Sequence, residues 1–297
     1  MKRLLSGIVI LLAVLATHAQ TIELANRKIV FLGDSITQGG GYVSFITYYL
    51  NKTNPHKEYD IYSLGLSSET TSGLSEESHL KHGFPRPCLH ERLERLLAKV
   101  KPDIVFACYG INDGIYQPLA DDRFQAFKTG ILKMIQVCKT NGVKEIFIIT
   151  PPIYDEPQVK NVWSYDSVMA AYAAWEKTLT LPNVRVIDLH TAMRTARDAH
   201  PDIPFSKDKV HPGEEGHLLM ARIILSGLNM NLPNETLATI KTDPLFNLIA
   251  QQRSLRANAW MPYIGYTREK TFRADNVTTQ ESEVANMQKK INALRRK

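Results

Sequence analysis

The sequence predicts an α/β fold: one five-stranded parallel sheet covered by helices on both faces. Five short apolar runs, at 28–32, 59–64, 103–108, 145–150 and 184–188, have the length of buried strands and lack strict polar alternation. Segments with apolar residues at helical spacing stand between them, the alternation of a βαβ chain. Glycine or proline closes several of the runs (Gly33, Gly65, Gly110, Pro151), so the loops that follow gather along one edge of the sheet. Ligands of open α/β sheets bind along that edge.

In order, the run Lys28 to Leu32 breaks at Gly33 into a polar tight turn, Asp34-Ser35-Ile36-Thr37, and a helical pattern covers Tyr42 to Leu50. Residues 67–78 are small and polar and read as a loop with a short helix; 79–87 is loop-like with two prolines. Leu89 to Val100 has the apolar spacing of an amphipathic helix. A longer helix covers about 121–139 and stops at Asn141-Gly142. Further helices are expected at 166–180 and 189–199, then a loop at 205–210. His211-Pro212-Gly213-Glu214-Glu215 opens a helix to about 229, with proline and acidic residues where a helix start favours them. Residues 231–297 break the alternation: 243–260 and 279–296 read as helices around an irregular stretch. This tail is too short for a core of its own and is expected to pack on the domain as a helical C-terminal extension. The division is therefore 1–19, 20–230 and 231–297.

Residues 1–19 read as a cleavable secretory signal. Met1-Lys2-Arg3 is basic, 4–16 is largely apolar, and Thr17 and Ala19 are small residues placed before a cut at Gln20. The apolar run is short for a membrane span. The expected location is secreted or periplasmic, without stable membrane insertion after cleavage. Removing Lys2 and Arg3 from the 36 basic residues leaves 34 against 30 acidic ones, and several of the remainder cluster at the C-terminus. No basic stripe with interleaved aromatics is present, so no nucleic-acid partner is expected.

Cys88, Cys108 and Cys138 are odd in number and scattered; Cys108 and Cys138 read as core, and a disulfide through Cys88 stays open. His79, His82, Cys88 and His90 cluster, but their spacing matches no usual zinc pattern, so no metal is expected. Asn51, Asn234 and Asn276 fit the N-glycosylation pattern.

Ser35 sits just past a strand end, where a hydroxyl is open to a ligand. As a nucleophile it needs a base, a group to orient that base, and donors for an oxyanion. His211 is the best base, in a strand-edge loop, with Asp208 three residues ahead; the pair reads equally as loop and helix-cap polarity. Candidate oxyanion donors are the Ser35 N–H, the Gly65 N–H and the Asn112 amide, although Gly65 also fits a plain turn and Asn112 an Asx turn. Phe84 and Arg86 are expected at the entrance as substrate contacts. Asp34 is either a further contact or a support for the turn. His217 reads as a helix-surface histidine.

Taken together, these positions resemble the SGNH (GDSL-type) esterase and lipase superfamily. Gly33-Asp34-Ser35-Ile36-Thr37, Gly65, Gly110-Ile111-Asn112-Asp113 and Asp208-Lys209-Val210-His211-Pro212 match its four blocks in order, across about residues 28–229. The resemblance implies a flavodoxin-like three-layer α/β/α sandwich. It implies Ser35 as nucleophile, His211 as base, Asp208 as orienter, and Gly65 and Asn112 as oxyanion donors, with no cofactor. The Gly-x-Ser-x-Gly elbow of the α/β-hydrolases is absent. The superfamily spans lipases, thioesterases, phospholipases and carbohydrate acetylesterases. The secretory signal, the lack of an apolar lid-like helix near Ser35, and loop aromatics at Tyr116, Trp163 and Tyr165 favour an acetylated poly- or oligosaccharide as substrate. The rivals are a short-chain lipase or lysophospholipase-like esterase, and a non-catalytic glycan-binding protein on the same scaffold.

Overall fold

The apolar runs become strands β1 (Lys28–Gly33), β2 (Asp60–Ser63), β3 (Ile104–Cys108), β4 (Glu145–Ile149) and β5 (Val184–Ile187). The computed structural model describes residues 22–267 and 273–296; the expected signal at 1–19 lies outside the described residues. All five strands pair in parallel, in the order β2-β1-β3-β4-β5. Between them lie α1 (Ser35–Gly39), α2 (Gly41–Thr53), α3 (Leu89–Val100), α4 (Asp121–Thr140) and α5 (Asp166–Glu176), and α6 (Leu189–Ala199) follows β5. The helix after His211 is α7 (Glu214–Gly227).

The order reverses at β1, because the chain steps one way to β2 and the other way to β3, β4 and β5. Right-handed crossovers then place α2 on one face of the sheet and α3 and α4 on the other, which gives the three-layer sandwich. The reversal creates a crevice beyond the C-terminal ends of β1 and β3, the usual place for a ligand in this topology. Both of those strands are almost wholly buried. Register adds an aromatic ladder: Phe31, Phe106 and Phe147 are direct partners on β1, β3 and β4. Their rings stack at 4.7 and 4.4 Å. Such pairs add roughly 0.5–1.5 kcal/mol each beyond the area they bury.

The tail forms α8 (Leu237–Thr242), α9 (Pro244–Ile264) and α10 (Thr278–Arg295). Phe246 of α9 stacks on Phe45 of α2 at 4.7 Å, and Trp260 meets Tyr62 of β2 edge-on at 5.3 Å. Arg256 of α9 pairs with both Asp60 of β2 and Glu281 of α10. The tail thus covers α2 and the edge strand β2. Several boundaries differ from expectation: the helix expected at 166–180 ends at Glu176, and a short 3₁₀ helix, Glu77–His82, runs into the stretch expected as loop. The turn at Ser35 is a short helix, because the Asp34 side chain caps it and Gly40 ends it in the left-handed conformation. The helix expected to stop at Trp260 runs to Ile264 despite Pro262, since Trp260, Met261 and Ile264 are all buried against the core.

Candidate active site

Ser35 is the first residue of α1, placed there by the end of β1 and the Asp34 cap. Its N–H has no carbonyl one turn back within the helix, so it faces outward as an orphan donor. The Ser35 Oγ lies 2.8 Å from His211 Nε2. His211 Nδ1 lies 2.6 Å from Asp208 Oδ2. The other carboxylate oxygen, Oδ1, accepts the backbone N–H groups of Val210 and His211 at 3.0 and 2.8 Å. That turn explains the three-residue spacing: it folds the carboxylate back onto the ring of the same loop. Burial opposes the Asp208 charge, but the hydrogen bonds from the His211 ring and the two N–H groups outweigh it and hold the carboxyl at about 2. The pair is shallow, with the side chains of His211 and Asp208 53% and 57% exposed.

Asn112 follows β3 across the switch point and is buried at the floor of the same cleft. Its Nδ2 donates to the Glu69 carbonyl at 3.3 Å, and its Oδ1 accepts from Arg86 Nη1 at 2.8 Å. The next residue, Asp113, is wholly buried, and its Oδ1 takes the N–H groups of Thr71 and Ser72 and the Thr71 hydroxyl. The Gly110-Ile111-Asn112-Asp113 segment therefore ties the loop after β2 to the end of β3. Ser35, His211, Asn112 and Arg86 border a cleft of about 380 Å³ whose walls also carry Ser68, His79, His82, Phe84 and Tyr116.

Several expectations need correction. Gly65 is not among the residues lining the cleft. It lies under α1, where an added Cβ would stand 2.3 Å from the Gln38 nitrogen and 2.6 Å from the Asp34 carbonyl oxygen. Ser67 and Ser68 reach the cleft instead. Ser67 gives its N–H to Gln38 Oε1 at 2.7 Å, so the Ser68 N–H is the remaining backbone donor of that pair. Ser68 holds a left-handed φ of 65°, uncommon for a residue with a side chain. Nothing in a serine-rich loop signals such a conformation, whereas a glycine would have. Asp34 is buried away from the cleft; desolvation pushes its carboxyl up to about 7, although the Ile36 N–H favours its charge. It supports the turn and is not a substrate contact. Arg86 lines the cleft, but its side chain is 6% exposed and its guanidinium is committed to Glu76 and Asn112.

His217 is only partly exposed. It faces Gly41 and stacks on Tyr42, with ring centroids 6.3 Å apart. Burial and the nearby Arg253 push it down to about 4. The cluster of His79, His82, Cys88 and His90 is split: the first two border the cleft, while Cys88 and His90 border a separate hollow beside α4. Among the described residues no group of three or more His, Cys, Asp or Glu side chains is placed to hold a metal ion. All three cysteines are free thiols. Asn51 is buried and hydrogen-bonded to Thr47 and Arg295, which blocks it as a glycan acceptor in the folded chain. A larger hollow, about 730 Å³, lies at the opposite end of the sheet, where Lys28 and Asp60 start β1 and β2 under α10. The residues that line it include no comparable nucleophile and base.

The family model of the GDSL-like lipase/acylhydrolase family matches residues 31–219, and the chain belongs to that family. Membership supports a carboxylic ester hydrolase. An acetylxylan esterase from Geobacillus stearothermophilus has a similar structure: TM-score 0.53, 21% identity, covering 71% of this chain and 98% of that one. An acetyl-xylooligosaccharide esterase from the same genus gives a TM-score of 0.53 at 22% identity, with the same coverage. A gut microbial diltiazem-metabolizing enzyme gives 0.52 at 18% identity, over 71% of this chain and 49% of that one. At such identities the likeness establishes the shared fold. Proteins of curated function include no match to this chain.

Proposed function

We propose that this protein is a secreted serine esterase that hydrolyses carboxylic esters through an acyl-serine intermediate and removes acetyl groups from an O-acetylated carbohydrate. The reading rests above all on the Ser35–His211–Asp208 chain of contacts, 2.8 and 2.6 Å long, open to a cleft with Asn112 at its floor.

His211 Nε2 takes the Ser35 proton as Oγ attacks the ester carbonyl carbon. The resulting oxyanion is held by the Ser35 N–H, the Asn112 amide and the Ser68 N–H. The intermediate collapses as His211 returns the proton to the departing alcohol oxygen. Water, deprotonated by His211, then cleaves the acyl-serine, releases the acid and restores Ser35. Asp208 holds the His211 proton on Nδ1 throughout, so that Nε2 is free to accept.

The shape of the site favours a sugar ester. His211 and Asp208 are more than half exposed, and the walls beyond Ser35 carry histidines, serines and a tyrosine, with Phe84 and Val210 as the apolar members. An extended acyl chain finds no deep apolar channel among these residues, whereas a small acetyl group on a bulky polar alcohol can dock from outside. Two of the similar structures are acetylxylan and acetyl-xylooligosaccharide esterases, which points the same way.

The test uses the full chain, expressed with its leader and purified, beside Ser35→Ala. Hydrolysis of p-nitrophenyl acetate and octanoate is measured together with acetate release from acetylated polysaccharides. Serine-dependent acetate release with poor octanoate turnover is expected. Faster octanoate turnover would move the reading to a lipid or short-chain esterase. Equal rates for wild type and Ser35→Ala would remove the serine mechanism.

A further inference from the structure

We infer that Arg86 is a positioning residue: clamped by Glu76, it fixes the Asn112 side-chain amide with its N–H toward the reacting carbonyl. This rests on the esterase reading above.

An asparagine amide is nearly symmetric in shape, and the wrong orientation would present an oxygen to a developing oxyanion. Donor and acceptor types decide which end faces the cleft. Arg86 has donors only, so Nη1, 2.8 Å away, can pair only with Oδ1. The Glu69 backbone carbonyl is an acceptor only, so it takes one Nδ2 hydrogen, at 3.3 Å. The second Nδ2 hydrogen is left for the cleft that Asn112 lines. The cation on Oδ1 also polarises the amide and strengthens the remaining N–H as a donor.

Arg86 can act in this way because it is held on every side. Its Nε and Nη2 meet the two Glu76 carboxylate oxygens at 2.6 and 2.5 Å, a bidentate fork. Its guanidinium lies 5.3 Å from the Tyr116 ring centroid. Its backbone N–H donates to Ser75 Oγ at 3.0 Å. Pro85 and Pro87 flank it, restricting the backbone on both sides. The Pro87 carbonyl in turn accepts the Thr70 N–H at 2.9 Å, which pins the segment to the same loop that carries Glu69. Burial works against the Glu76 charge, but the Arg86 hydrogen bonds hold its carboxyl below the usual value, so the fork stays ionic at neutral pH. A guanidinium so committed has little left for a substrate, which separates this role from a direct contact.

The test is a double-mutant cycle on p-nitrophenyl acetate with wild type, Arg86→Met, Asn112→Ala and the double variant, and Ser35→Ala as background. Arg86→Met is expected to lower kcat about 10- to 100-fold with KM within about threefold. In the Asn112→Ala background the same change should cost less than about twofold, because the brace has nothing left to hold. Glu76→Gln retains Arg86 and Asn112 but loosens the fork that holds Arg86; it should lower kcat about 3- to 10-fold, and it carries the same cycle if Arg86→Met does not fold. Additive losses in the double variant, or a raised KM with unchanged kcat, would overturn the brace. A wild type no faster than Ser35→Ala would overturn the esterase reading and the brace together, so the two failures are told apart.

Discussion

Arg92 and Glu69 form a fork with no solvent exposure on either side chain: Arg92 Nε and Nη2 lie 2.6 and 2.7 Å from the two Glu69 carboxylate oxygens. The pair joins α3 to the loop after β2. Arg92 Nη2 also reaches the Leu64 carbonyl, and Tyr109 gives its hydroxyl to Glu69. Removing one partner strands a buried charge. Arg92→Met should therefore lower stability by about 3–5 kcal/mol, and Glu69→Gln added to it should restore more than half of the loss. Unfolding in urea checks both. Because the Glu69 carbonyl also holds Asn112, kcat should fall in the single variant at temperatures where it remains folded.

Asp208→Asn should lower kcat by roughly 10²- to 10⁴-fold with little change in KM, because an amide no longer fixes the proton on His211 Nδ1. Steady-state kinetics on p-nitrophenyl acetate measures it. With the Asp208 carboxyl held at about 2, the acid limb of the wild-type pH profile should not come from this residue. An acid limb that is still present, though displaced, in Asp208→Asn agrees with this, because the variant also removes the charge beside His211.

Asp34 makes stability pH-dependent in a definite direction. Burial, with smaller opposing and supporting contributions from its surroundings, raises its carboxyl from 3.8 to about 7 in the fold. Between those values the unfolded chain has released a proton that the folded chain keeps, so stability falls as pH rises through this window and levels off above it. An asparagine in its place can still cap α1 without carrying the charge. Asp34→Asn should match wild type near pH 4 and exceed it at pH 8 by on the order of 2–4 kcal/mol. Thermal melts of the two proteins at pH 4, 6 and 8 would reveal a gap that widens with pH. A constant gap would refute the assignment.

Gly65→Ala should disturb the serine without touching the cleft. The new Cβ would collide with the backbone of Asp34 and Gln38, and backbone cannot swing aside as a flexible side chain can. A destabilisation of about 2–3 kcal/mol is expected, with a loss of kcat as α1 shifts. A variant with normal melting and normal kcat would show that α1 has slack.

Phe246→Ala tests whether the tail is part of the core. Phe246 stacks on Phe45 and meets Tyr48 edge-on, and all three are buried. A loss of about 3–5 kcal/mol is expected in urea unfolding, with one cooperative transition. A loss below about 1 kcal/mol, or a separate early transition, would mark the tail as an appendage.

By itself, the sequence determined the sheet and the candidates for its chemistry. Strands of four to six residues, buried on both faces, leave an apolar signature that depends only on local composition, and Leu89–Val100 and Leu189–Ala199 match their expected bounds because amphipathic spacing is equally local. Ser35 and Asn112 could be selected because each follows a strand, and Asp208 and His211 because they stand three residues apart in the loop before the last helix of the domain. Only the tertiary structure decided what stands beside what. Ser35 and His211, 176 positions apart, come within 2.8 Å because the crossovers bring the loop after β1 and the loop after α6 to one edge of the sheet. The left-handed φ of Ser68, the replacement of Gly65 by Ser67 and Ser68 at the cleft, and the commitment of Arg86 to Glu76 and Asn112 all depend on contacts between segments distant in sequence. Residue types state what a side chain can donate or accept; the packed fold decides which partner it meets and therefore whether it faces the substrate or holds another residue that does.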